Sequence, residues 1–147
     1  MTRLALVDVN VLLPLLLPQH AAHGAALAWL GQQPAGRLRF ALPVQLGVLR
    51  LLSQPRVMGS GVLSPETALA TWAALVDATG LLELHAPQPS HAALLQGLVV
   101  GRTATPNLWT DAWLAALAKS HDCEMVTFDH GFRSFADLAL KVLEVDA

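Results

Sequence analysis

Acidic side chains are scarce in this chain, eleven among 147 residues, and three of them stand where carboxylates could do chemistry. Asp8 interrupts the apolar run LALVDVNVLL at residues 4–13, Asp129 closes the segment MVTFD, and Asp111 lies within LWTDAWLAALA. An unpaired charge in apolar surroundings costs on the order of several kcal/mol, so a carboxylate inside such a run needs a compensating partner. Asn10 follows Asp8 by two residues and Thr127 precedes Asp129 by two, placing two further oxygen-bearing groups beside the acids. Three carboxylates about 5 Å apart would repel one another by ~3 kcal/mol per pair at an effective dielectric of about 20. A hard divalent cation such as Mg²⁺ or Mn²⁺, which prefers oxygen ligands, would relieve that repulsion. The plainer reading stays open at this point. An aspartate after a strand commonly caps a turn, and Asp111 near a helix start is favoured by the helix dipole alone.

These residues need elements to bring them together. LALV at 4–7 reads as a short strand buried on both faces, as in a parallel sheet covered by helices. The piece NVLLPLLLPQ is short and helical or irregular, punctuated by Pro14 and Pro18; residues 20–33 read as a helix, LRFALP as a second strand, and Val44 to Ser53 as a helix stopped before Pro55. SPETALATWAALVDATG carries a strong helix signature, with Ser64 as cap, Pro65 at the first helical position and Gly80 past the end. LLELH reads as a third strand, SHAALLQGLVV as a helix, GRTATPN as a loop, and LWTDAWLAALAKSH as a helix with Asn107 as its cap. EMVTFD and LKVLEV complete the strands. Alternating strands and helices imply an α/β three-layer sandwich, a mostly parallel, roughly five-stranded sheet flanked by helices, formed by residues 1–147 as a single domain. In a parallel sheet, Asp8 and Asp129 both emerge at the C-terminal strand edge, where α/β folds place their sites.

Composition narrows the function classes. Hydrophobic residues make up 54% and charged residues 14%, against a usual charged share of about 25%. Net charge is −2, so no general electrostatic footprint for nucleic acid exists. A polyanion would have to be held locally, by arginines or a metal ion. Mean hydropathy is +0.48, which suggests apolar surface buried both within the chain and against a partner. The lone Cys123 rules out an internal disulfide and reads as a small buried hydrophobe. MTRLALVD does not read as a signal peptide, because its apolar stretch breaks at Asp8, and no apolar segment reaches the ~18 residues of a membrane span. A cytoplasmic location with no membrane partner is expected.

Three segments, LVDVNVLLPLLLPQHAAHGAALAWL, RFALPVQLGVLRLLSQPRV and NLWTDAWLAALAKSHDCEMVTFDHGFRSF, resemble PIN-domain ribonucleases, with the strongest likeness to VapC toxins of VapBC toxin–antitoxin modules. The resemblance runs from about residue 3 to residue 145, and its two ends together are fairly specific. It implies a PIN-like fold and a Mg²⁺- or Mn²⁺-dependent endoribonuclease that acts as the toxin of a type II pair. Asp8, Asp111 and Asp129 match the first, third and fourth acids of the family's four-acid site, as catalytic and metal-holding residues. The second, usually Glu, falls at Gln45, five residues before Arg50. This departure removes a charge, predicts weak metal affinity with one well-held ion at most, and keeps an alternative in play: a weak or inactive PIN-like module that binds RNA or a partner. Asn10, Gln45 and Thr127 take supporting roles around the ion or its waters. The resemblance further implies a VapB-type antitoxin, an RNA substrate with tRNA among the candidates, and a homodimer.

Arg50, Arg56, Arg102 and Arg133 are candidates for contacts to RNA phosphates or antitoxin carboxylates, with solvated surface positions as the plainer reading. His20 and His23 share a helical spacing that could serve a metal, but no third ligand supports them, and capping or surface placement fits better. His130 directly follows Asp129 and could contact substrate. Trp29, Trp72, Trp109 and Trp113 fit core or dimer packing better than base stacking. A phosphatase with Asp8 as nucleophile is disfavoured, because Asn10 stands where that chemistry needs a second aspartate.

Overall fold

A computed structural model describes residues 3–145. Five strands, β1 (Ala5–Val7), β2 (Leu38–Phe40), β3 (Leu82–Glu83), β4 (Glu124–Thr127) and β5 (Leu140–Val142), form one sheet in the order β3-β2-β1-β4-β5. Every pairing is parallel. β1 is central, and all three of its residues are fully buried, which explains its unbroken apolar sequence. Its register with β4 runs Ala5↔Glu124, Leu6↔Met125 and Val7↔Val126. The next residue of each chain is therefore Asp8 beside Thr127, both at the C-terminal strand edge.

Among the described residues seven helices connect and cover the sheet: α1 (Val9–Leu16), α2 (His23–Gly31), α3 (Leu42–Leu52), α4 (Pro55–Met58), α5 (Pro65–Thr79), α6 (Ser90–Val99) and α7 (Leu108–Ser120). By the right-handed rule for parallel crossovers, the strand order puts α1 to α5 on one face and α6 and α7, on the return from β3 to β4, on the other. The packing agrees: α1 lies against α2 and α3, α3 against α5, and α6 against α7. The three-layer arrangement expected from the alternation of elements is the one formed.

Local signals account for several elements. Ser64 Oγ accepts from the Thr67 amide at 3.2 Å at the start of α5, and Gly80 ends that helix at φ +71°, a conformation in which a Cβ is unfavourable. Other boundaries differ from the expectation. β2 stops at Phe40 and α3 begins at Leu42, with Pro43 within its first two positions, where the missing amide proton has no intrahelical role. α2 begins only at His23, because His20 Nδ1 accepts from the Ala22 amide at 3.0 Å and holds a turn before it. Pro55, expected only as a stop, also opens α4. Asn107 precedes α7 as expected, but its side chain makes no capping hydrogen bond.

The core joins Leu6, Val11, Leu12, Val48, Leu117 and Met125 with neighbours from both helical layers. Trp72 meets Phe40 edge-on at 5.0 Å between centroids, and Cys123 is buried as expected. Trp29 and Trp72 are core residues, whereas Trp109 is 60% exposed. Among the described residues no helix is long and apolar enough to cross a membrane.

Candidate functional site

Asp8 is the hinge between β1 and α1. Its backbone is extended (φ −80°, ψ 162°), and its Oδ1 accepts from the Val9 amide at 2.7 Å, so it caps α1. The expected capping role and the expected functional role thus fall on one side chain. Asp8 is 9% exposed. Its Oδ2 accepts a 2.8 Å hydrogen bond from Thr127 Oγ1, and Thr127 is itself fully buried at the end of β4. Thr127 Oγ1 in turn accepts from Asn10 Nδ2 at 3.1 Å and from the Asp129 amide at 3.0 Å. Asn10 Oδ1 accepts from the Phe128 amide at 3.0 Å. Asn10 and Thr127 therefore knit the β1–α1 junction to the segment that carries Asp129.

Asp111 lies in the first turn of α7, half-buried. Burial, then the charges of Asp8 and Asp129, push its carboxyl up to about 7. Burial also raises the Asp8 carboxyl; the Thr127 and Val9 hydrogen bonds oppose that rise, and the Asp129 charge adds to it. The three carboxylates thus share one electrostatic environment. Among the described residues none of them has a basic ion-pair partner. Asp129 caps a short 3₁₀ turn, His130–Ser134, with its Oδ1 accepting from the Gly131 amide at 2.8 Å. Asp111 and Asp129 open onto a cleft of about 480 Å³ whose further wall includes Arg102, Thr103, Thr105 and Asn107. In the sequence GRTATPN reads only as a loop, and nothing in its spacing singles out the hydroxyls of Thr103 and Thr105.

Among the described residues, none of the other expected side chains hydrogen-bonds to the three carboxylates. Gln45 is half-buried on α3 and makes no side-chain hydrogen bond to the carboxylates. Arg50 and Arg56 are exposed at the ends of α3 and α4, and Arg133 is exposed in the 3₁₀ turn. Arg102 is half-buried and bonded within the chain, to Leu98 and Ser134. His23 Nδ1 donates to the Pro14 carbonyl at 2.8 Å, so His20 and His23 serve local structure. His130 lies 3.4 Å from Glu144.

Among the described residues no three His, Cys, Asp or Glu side chains stand together as a ready-made metal cage. The donor chemistry still suits a hard cation. All candidate ligands are oxygens, three are carboxylates without a basic ion-pair partner among the described residues, and Mg²⁺ uses only one or two direct carboxylates, with water completing its shell.

Residues 5–138 match the PIN domain family. Ribonuclease VapC41 of Mycobacterium tuberculosis is 33% identical over 142 residues, covering 94% of this chain and 97% of that protein. Ribonuclease VapC44 of the same organism is 38% identical over 128 residues, 85% of each chain. The crystal structure of VapBC2 from Rickettsia felis, bound to a promoter DNA fragment, superposes with a TM-score of 0.65 at 12% identity, over 96% of this chain and 99% of that one; at this identity the likeness speaks for the fold. With the buried Asp8, its partner Thr127, the Asn10 that bonds to Thr127, and Asp111 and Asp129 at the C-terminal edge of an all-parallel sheet, these matches place the chain in the PIN-domain family, among relatives named ribonuclease VapC.

Proposed function

We propose that this protein is a metal-dependent endoribonuclease that hydrolyses RNA phosphodiester bonds as the toxin of a type II toxin–antitoxin pair. The observation that carries the reading is the placement of Asp8, Asp111 and Asp129 at the C-terminal edge of the sheet, within reach of one another's charge and, among the described residues, without a basic ion-pair partner. Such a set is held together against its own repulsion, and a cation relieves that repulsion. Asp8, Asp111 and Asp129 would hold Mg²⁺ or Mn²⁺. A bound ion of this kind supplies a water of lowered pKa and charge stabilisation at the phosphate. Thr127 and Asn10 keep the Asp8 carboxylate aimed toward the edge of the sheet, and the cleft beside Asp111 and Asp129 admits the chain of the substrate. The relatives VapC41 and VapC44, both ribonucleases by name, support the ribonuclease assignment, and the VapBC2 assembly supports a VapB-type antitoxin as partner. A homodimer in the cytoplasm, acting on RNA such as tRNA, completes the proposal.

One observation favours a second reading, a binding module with little turnover. Gln45 is neutral and half-buried at the position of the family's second acid. Cleavage of total RNA and of a tRNA pool by partner-free protein, with Mg²⁺, Mn²⁺ or EDTA, separates the two. The nuclease cuts with metal, stops in EDTA, and is silenced by Asp8→Asn. Folded protein that cuts with neither ion favours the binding module.

A further inference from the structure

We infer that Arg102 is a positioning residue for Asp129, holding the 3₁₀ turn 130–134 and through it the carboxylate at the mouth of the acidic cleft. The inference rests on the nuclease reading of that cleft and adds a residue to it. The Arg102 guanidinium is bonded in three directions. Nε donates to the Leu98 carbonyl at 2.7 Å on α6, Nη1 to Ser134 Oγ at 2.8 Å, and Nη2 to the Ser134 carbonyl at 2.6 Å. Its flat face lies 4.4 Å from the centroid of the Phe135 ring, a cation–π contact. Phe135 is buried and packs against the fully buried Phe132 at 5.8 Å. One side of this clamp is therefore anchored in the core and the other on α6.

From Ser134 the connection continues to the acid. Ser134 Oγ, which accepts from Arg102, donates to the Gly131 carbonyl at 2.9 Å. The Gly131 amide donates to Asp129 Oδ1 at 2.8 Å. The fit there is close: a Cβ on Gly131 would lie 3.0 Å from that same oxygen. A five-residue 3₁₀ turn has poor hydrogen-bond geometry and little stability of its own. Asp129 is exposed, and among the described residues its side chain has no other hydrogen bond. Its aim therefore depends on what stiffens the turn. Arg102 supplies a planar fork that reaches one residue through two acceptors while stacking on the next, which a lysine ammonium does not reproduce. This differs from the phosphate or carboxylate contact expected of Arg102 from its sequence position.

The test compares wild type with Arg102→Met, Arg102→Lys and Ser134→Ala. Its first readout is the metal-free, RNA-free protein: the amide-proton shift of Gly131 and its exchange rate with water by NMR. The expected result is exchange faster by about tenfold in Arg102→Met and in Arg102→Lys, with a smaller change in Ser134→Ala and unchanged amides in β1 and β4. The second readout is RNA cleavage, where kcat should fall by about tenfold with KM within about twofold, the pattern of a misaimed catalytic group. An unchanged Gly131 amide in all three variants overturns the clamp. A raised KM at constant kcat overturns it in favour of a direct RNA contact. Wild-type protein that cuts no RNA defeats the nuclease reading alone, because the Gly131 amide still reports whether Arg102 holds the turn.

Discussion

Thr127 Oγ1 donates to Asp8 Oδ2 at 2.8 Å across 119 positions of sequence, between two side chains almost wholly removed from water. The bond exists because β1 and β4 are neighbours in register, with Val7 opposite Val126. Each strand then delivers its next side chain to the same edge. Asp8 receives a neutral donor instead of a cation, so its charge is oriented but not cancelled.

Removing that donor should weaken both fold and site. Thr127→Val keeps the shape and deletes the hydroxyl, leaving Asp8 Oδ2, Asn10 Nδ2 and the Asp129 amide without their shared partner. The expected loss is about 1–3 kcal/mol in urea unfolding, with cleavage reduced in parallel. Thr127→Ser, which restores the hydroxyl, should recover most of both. Full stability in the valine variant would show that the hydroxyl network contributes nothing.

Asp111 gives the metal-free protein a pH dependence of defined sign. Burial and its acidic neighbours raise its folded carboxyl from the ordinary 3.8 to about 7. Between those values the folded state binds the proton more tightly than the unfolded chain. Stability therefore falls as pH rises through that window and levels off above about 7. Without metal, Tm should be higher at pH 5 than at pH 7.5, by about 2–4 °C after discounting for the half-exposed position of Asp111. Asp111→Asn should raise Tm at pH 7.5 and flatten the profile. Divalent cation should do the same at pH 7.5 by favouring the charged form. A profile identical in wild type and Asp111→Asn would count against the coupling.

Gln45 tests how much the missing charge matters. Gln45→Glu should tighten Mn²⁺ binding by about tenfold in calorimetry, equivalent to ~1.4 kcal/mol, and raise the cleavage rate. An unchanged affinity would mean that this position on α3 does not reach the ion.

The core makes a separate prediction, about stability and not about the site. Trp72 is 5% exposed and packs edge-on against Phe40 of β2. Trp72→Ala should cost about 3–5 kcal/mol and lower the midpoint of denaturation without changing the metal affinity of protein that remains folded.

Much of this molecule was legible in one dimension. The unbroken apolar run at 4–7 announced a strand buried on both faces, and Ser64, Pro65 and Gly80 bounded α5. Asp8, Asp111 and Asp129 stood out because acids are few and each falls where an element begins or ends. These signals are local: a cap, a proline or a periodicity acts within about one helical turn. The β2–α3 boundary was misplaced because FALPV suits either element, and Pro43 fits the first turn of a helix as well as the end of a strand. What the tertiary structure alone decided are the relations between distant residues. The 2.8 Å bond from Thr127 to Asp8 and the elevation of Asp111 by burial and by its two acidic neighbours both depend on strand order and register. So do the exposure of Trp109 beside three tryptophans that pack inward, and the capture of Arg102 by Ser134 and Phe135. Side-chain types determined which groups were available. The parallel sheet decided which of them share a dielectric and a neighbour, because interaction energies fall with distance in space and not with separation along the chain.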